Sequence, residues 1–256
     1  MGRLLDIIGW NRDRVDWARL ADRQDRRPRP VDPALRDRAQ RLHRDVSRFL
    51  QASDPWAMRD RGVSRDDLPP GTEWHWRPDL LRVGIHPPAV AAPPSGHRLG
   101  KDAALWHDCP HRAMIVRQST RPQPGQGACH PVGIEIMGFA GSFLSLALDL
   151  PAEAIGRLGP DRILNLDMAM DAERPITVYA RINLRQGPNT ETMLRQLGEP
   201  AAGQGARRRA EFDLAYAGLA HRPIERAWLD MILEQPRMNA VVLRDMVLSH
   251  RGRAQV

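Results

Sequence analysis

The chain's best candidates for chemistry are polar residues that recur on one side of consecutive alternating segments. Asn165 and Asp167, then Tyr179, Arg181 and Asn183, then Asp213, then Trp228 and Asp230 each stand opposite a run of apolar residues. Amides and carboxylates accept and donate in the geometry sugar hydroxyls require, a guanidinium bridges neighbouring oxygens, and an aromatic ring offers an apolar plane to the C–H face of a pyranose. If these segments share a sheet, the groups converge on one face as a saccharide site. Asn189, in the turn Gly187-Pro188-Asn189-Thr190, completes the candidate ligand-binding set. The competing reading is a solvated outer face with cross-strand ion pairs such as Arg181 with Asp213 or Asp230. Trp228, on the polar side of its segment, keeps the ligand reading in play.

Two other groupings carry weaker chemistry. His107-x-Cys109-x-His111, with Cys129-His130, has metal-capable atoms, but its spacing is unlike the two-residue knuckle of a zinc ribbon. Adjacent residues point apart in a strand, so His107-Asp108-Cys109 needs distant partners to act as a nucleophile. A hydrolase or metal enzyme centred near His107 is therefore the lesser alternative. Asp149, Asp167, Asp213 and Glu225 are candidates for the carboxylate pair of glycoside hydrolysis, a role that depends on a separation sequence does not set. The sequence contains no phosphate loop, dinucleotide fingerprint, Gly-x-Ser-x-Gly or His-Glu-x-x-His. No residue is given a catalytic role, and no metal or cofactor is expected.

The elements that must position these residues are strands. From Ile176 to Arg185 the alternation is strict: Ile176, Val178, Ala180, Ile182 and Leu184 face one way and Thr177, Tyr179, Arg181, Asn183 and Arg185 the other, as in a strand with one buried side. Comparable patterns occupy 113–118, 132–139, 143–150, 162–172, 210–216, 224–234 and 241–249. With scarce helix patterns between them, two packed antiparallel sheets are the economical solution. The predicted fold is mainly β, a jelly-roll-like antiparallel sandwich over 101–256. Residues 54–100 are expected as an irregular linker, in which Trp74 and Trp76 either anchor the segment to the sandwich or form a stacking platform.

Residues 1–53 read as an arginine-rich helical arm. Apolar spacing predicts two short helices within 3–23, with a break near Gly9 to Asn11. A further helix runs from Pro33 to about Gln51, with Asp32 as N-cap and proline at its first position. Leu35, Ala39, Leu42, Val46, Phe49 and Leu50 line one face of it, and Arg36, Asp37, Arg38, Arg41, Arg44, Asp45 and Arg48 the other. Such a helix packs against protein, a partner or second copy included, or lies on a membrane surface or nucleic acid. The net charge of +7 is concentrated here, because residues 1–65 hold 16 arginines against 10 acidic residues. Charge therefore gives the sandwich no support as a nucleic-acid binder. Lys101 is the only lysine. Two cysteines make no disulfide framework, no segment is apolar enough to span a bilayer, and a cytoplasmic location is the expectation.

Several stretches resemble one family. They are Gly141-Ser-Phe-Leu-Ser-Leu-Ala-Leu-Asp-Leu-Pro151, Ala180-Arg-Ile-Asn-Leu-Arg-Gln-Gly-Pro-Asn-Thr-Glu191, Glu211-Phe-Asp-Leu-Ala-Tyr216 and Trp228-Leu-Asp-Met-Ile-Leu-Glu234, continuing through Met238-Asn239 to Arg244-Asp245. Trp74-His75-Trp76-Arg77-Pro78 and His107-Asp108-Cys109-Pro110 extend the likeness. The chain resembles an uncharacterised bacterial family catalogued as domain of unknown function 6478. Ala140 stands where that family suggests an acid, and Gln186 where it suggests histidine. The resemblance implies kinship and no reaction. By strand order the chain is also similar in outline to non-catalytic carbohydrate-binding sandwiches, an analogy of fold.

Overall fold

The computed structural model describes residues 15–52, 63, 65–119 and 128–253. Of the two short helices expected within 3–23, the part before residue 15 lies outside the described residues, as do residues 53–62. The chain divides into two compact units, residues 1–46 and 47–256.

In the first unit, α1 (Trp17–Arg26) starts at Asp16, whose Oδ1 accepts the N–H of Arg19 at 3.0 Å. Helix α2 (Pro33–Ala52), which begins in this unit and runs past its end at residue 46, starts as its sequence predicts, Asp32 Oδ1 accepting the N–H of Ala34 at 2.9 Å. Each carboxylate satisfies a backbone donor that the first turn leaves orphaned.

In the second unit, thirteen strands among the described residues form two antiparallel sheets. They are β1 (Thr72–Trp76), β2 (Ala89–Ala91), β3 (His97–Leu99), β4 (Ala103–His107), β5 (Met114–Gln118), β6 (Val132–Met137), β7 (Phe143–Asp149), β8 (Arg162–Ile176), β9 (Val178–Gln186), β10 (Asn189–Gln196), β11 (Ala201–Asp213), β12 (Arg226–Glu234) and β13 (Met238–Gly252). Short helices α3 (Asp79–Arg82) and α4 (Ala152–Ile155) interrupt them. One sheet runs β11-β8-β13-β6-β5-β2, with β1 also paired to β13; the other runs β10-β9-β12-β7-β4-β3. Between them lies a core that includes Leu105, Leu144, Leu146, Leu148, Leu164, Leu166, Ile182, Phe212 and Leu229, all at most 1% exposed. Each such side chain contributes about 1.5–3 kcal/mol by leaving water. The fold is the β-sandwich with N-terminal helices that the alternation predicts.

Three local expectations are revised. The single alternating segment from Ile176 to Arg185 divides at Thr177, where β8 of one sheet ends and β9 of the other begins. Alternation does not show the change, because the inner faces of both sheets pack on the same core. The expected irregular linker contributes β1, β2 and β3 to the sheets. In β1, Trp74 is 9% exposed and stacks on His250 with ring centroids 5.5 Å apart, so it anchors the segment and offers no open platform. Finally, residues 201–206, outside the strand patterns read from the sequence, belong to β11, whose register against β8 shifts between Ala201 and Ala206. Gly203 and Gly205, both at positive φ, lie within that irregular stretch, a backbone setting glycine adopts at little cost.

Candidate functional site

The core-facing residues of β9, β12, β7 and β4 fix which side chains stand on the outer face of the six-stranded sheet. The pairing register places three rows across that face. Tyr179, Ile232, Ser145 and Trp106 make the first; Arg181, Asp230, Ala147, Ala104 and Arg98 the second; Asn183, Trp228 and Asp149 the third. A cleft of about 590 Å³ lies over their middle, lined by residues including Trp106, Ser145, Ala147, Asp149, Arg181 and Trp228. The two small alanines keep its floor low between the two tryptophans.

Its polar groups are held by ion pairs. Asp230 Oδ2 accepts from Arg181 Nε at 3.1 Å, Arg181 Nη2 at 2.9 Å and Asn183 Nδ2 at 2.9 Å. Asp149 is shared: Oδ1 accepts from Arg226 at 2.6 Å and Oδ2 from Arg98 at 3.2 Å. Burial pushes the Asp149 carboxyl up, but those two guanidiniums outweigh it and hold the group below its ordinary value. The Arg226 guanidinium lies 5.0 Å from the Trp228 ring, a cation–π contact that covers one face of the indole. Trp106 is 49% exposed. Its ring leans on Gly96, where a Cβ would come within 3.3 Å of it. On the floor, Ser145 is 4% exposed and its Oγ has no hydrogen-bond partner.

The sequence candidates divide between the two sheets. Arg181, Trp228 and Asp230 line the cleft, Asn183 lies buried behind Asp230, and Tyr179 stands outside the lining in the next row, its hydroxyl 3.3 Å from Glu234. Asp167 and Asp213 do not join them, which corrects the expected convergence. Both belong to the seven-stranded sheet, where Asp167 pairs with Arg209 at 2.6 Å and Asp213 with Arg253 at 3.0 Å. Alternation separates inward from outward and is silent on which sheet a strand joins. Asn189 opens β10 at the β9–β10 hairpin, outside the cleft lining. Of the two ion pairs expected for Arg181, the one with Asp230 forms. Trp106, Ser145, Arg98 and Arg226 are additions. Trp106 carried the signal that marked Trp228, an aromatic on the outward side of a strand, but Ala103 to His107 is too short for a persuasive alternation.

Asp167 and Asn165 instead line a second cleft, of about 560 Å³, walled by Leu68, Pro69 and Pro70. Its lining has no aromatic ring, and three of its carboxylates are in ion pairs, Asp167 with Arg209 at 2.6 Å, Asp245 with Arg77 at 2.7 Å and Glu211 with Arg251 at 3.1 Å. At His107 both ring nitrogens serve the backbone: Nε2 lies 3.0 Å from the Pro93 carbonyl, and Nδ1 accepts the N–H of Cys109 at 3.2 Å. That fixes the tautomer and leaves neither nitrogen for a metal or a proton relay. Among the described residues no group of three or more His, Cys, Asp or Glu side chains is arranged to hold a metal ion. None of the described helices is long and apolar enough to cross a membrane.

Fold and site together define an antiparallel β-sandwich with an aromatic-flanked cleft on one outer face. The chain belongs to the family of unknown function DUF6478, whose model matches residues 1–256. No curated protein matches it. Among solved structures, it is similar to the enzymatically active domain of bacteriophage CBA120 tailspike protein 4, at 9% identity and TM-score 0.39, over 59% of this chain and 19% of that one. It is also similar to a xylan-binding domain from Paenibacillus barcinonensis, at 9% identity and TM-score 0.37, over 65% and 94% of the two chains. A family 11 carbohydrate-binding module from Clostridium thermocellum gives 10% identity and TM-score 0.38, over 64% and 96%. Likeness at this level assigns no ligand to this chain.

Proposed function

We propose that this protein is a non-catalytic module that binds a short saccharide in the cleft of the six-stranded sheet. One observation carries the reading: Trp106 and Trp228 stand on the same sheet face, diagonally across a floor of Ala104, Ser145 and Ala147. Strand spacing and rise put their Cα atoms on the order of 17 Å apart, the reach of a short oligosaccharide rather than of one ring. The half-exposed Arg181 guanidinium, fixed by Asp230, presents donors from β9 in the row between theirs, and Ser145 Oγ offers a buried, unpartnered hydroxyl beneath. The two guanidinium partners that lower the pKa of Asp149 make it unsuited to the part of a glycosidase acid. A glycosidase acid needs the opposite, a carboxyl that holds its proton. Calorimetric titration with a panel of short oligosaccharides tests the reading. Binding that disappears in both Trp106→Ala and Trp228→Ala is expected; no binding to any member, or binding indifferent to both substitutions, rejects it.

A second reading, a structural or assembly protein that contacts protein partners or its own copies through residues 1–53, is favoured by the apolar face of α2. Val46 and Phe49 on that helix are 46% and 68% exposed. Light scattering before and after removal of residues 1–52 tests it: self-association that persists without them rejects this reading.

A further inference from the structure

We propose that the Asp149 end of the cleft takes an anionic sugar, a uronate whose carboxylate bridges Arg98 and Arg226. The inference deepens the saccharide reading and rests on it. Arg98 on β3 and Arg226 on β12 reach from opposite sides to the one carboxylate of Asp149 on β7. Their side chains are 49% and 50% exposed, and Asp149 is 33% exposed. Two cations against one anion leave this end positive, whereas Arg181 and Asp230 balance one another at the next row. A ligand carboxylate completes the charge set.

Hydrogen-bond supply points the same way. Both oxygens of Asp149 are taken, and Asp230 Oδ2 already accepts three N–H groups. The guanidiniums keep donors to spare. Arg226 uses Nη2 on Asp149, Arg98 uses Nη1 on Asp149 and Nη2 on the Lys101 carbonyl, and each carries five N–H groups in a planar fork. A neutral sugar brings hydroxyls that both donate and accept, so some of its donors would meet donors. A carboxylate only accepts, and its two coplanar oxygens match the planar fork of a guanidinium. The contact of Arg226 with the Trp228 ring holds one of the two cations beside the aromatic residue that is proposed to stack a pyranose.

The test titrates the full chain with a galacturonate trisaccharide, the uncharged galactose trisaccharide and a sulfated disaccharide, at low and high salt. The uronate is expected to bind about tenfold tighter than the neutral sugar at low salt, with an advantage that shrinks as salt rises. In Arg98→Gln the uronate should lose about tenfold more affinity than the neutral trisaccharide. Neutral and uronate sugars bound equally, or weakened equally by Arg98→Gln, would overturn the inference and leave the saccharide reading standing. Tighter binding of the sulfated sugar would overturn the carboxylate assignment. Failure of every sugar to bind would overturn the saccharide reading itself.

Discussion

Asp230 and Arg181 face one another across β12 and β9, and the aspartate is far the more enclosed, its side chain 6% exposed against 44% for the arginine. The carboxylate is held from the side by Arg181 and by Asn183, itself 3% exposed. Asp230→Ala leaves the Asn183 amide without its carboxylate partner and Arg181 without its counter-charge. Loss of such partly buried bonds costs about 2 kcal/mol. Urea denaturation should show that loss as a lower midpoint at unchanged slope.

Gly141 is required by space rather than by φ. A Cβ there would collide with Asp108 Oδ1 and come within 2.7 Å of Phe139 and 2.8 Å of the Cys109 nitrogen. Asp108 is thereby free to accept from Ser142 N, Ser142 Oγ and Phe143 N, which ties the end of β4 to the start of β7. Gly141→Ala is expected to destabilise the fold by about 3 kcal/mol through overpacking and lost hydrogen bonds. Asp108→Ala should cost less, since it removes the bonds without the collision; thermal melts of the two variants check the order.

His250 gives the fold an acid sensitivity above the carboxylate range. It is fully buried, and neither ring nitrogen has a partner. Burial first, and then the charge of Arg162, lower its pKa from the ordinary 6.5. The unfolded chain therefore binds the proton more readily, so stability is complete above about pH 6.5 and falls as pH drops toward the depressed folded value. Asp108, Asp149 and Asp213 are also held below their ordinary value of 3.8, so their stabilisation is lost only in more acid solution. Asp102, raised by burial, acts in the opposite sense. Denaturation between pH 5 and 7 should flatten in His250→Phe. A slope unchanged by that substitution would remove His250 as the cause.

The tryptophans separate anchoring from display. Trp74→Ala removes a buried ring stacked on His250 and is expected to cost about 3–5 kcal/mol. Trp106→Ala removes a ring that is half in solvent and should change stability by less than about 1 kcal/mol. Paired chemical denaturation of the two variants, with saccharide titration of the second, checks both halves.

Much of the sandwich was legible because a strand with one buried side announces itself. Leu144, Leu146 and Leu148 point inward, as do Val178, Ala180, Ile182 and Leu184, all nearly inaccessible to solvent. What alternation omits is partnership. Asp167 and Asp230 carry the same outward signal on different sheets, and the change of sheet at Thr177 leaves the periodicity intact. The edge strands β2 and β3 were hidden by their length of three residues and the prolines around them. Gln186 has a role that alternation does not announce. Its buried amide accepts the N–H of Ala220 and donates to the carbonyls of Ala220 and Arg222, which holds the loop that leads to β12.

Every residue that lines the six-stranded cleft, Gly96 apart, stands on a strand whose opposite face is locked into the core. The backbone of such a trough is fixed by the sheet, so if the proposed saccharide binds there, little backbone ordering would accompany its capture. Association is then governed by encounter and orientation, and the differences between ligands fall on residence time. Exchange between free and bound forms should be quick for a weakly held sugar. Lasting attachment to a polymer would come from several copies engaging neighbouring segments of it at once.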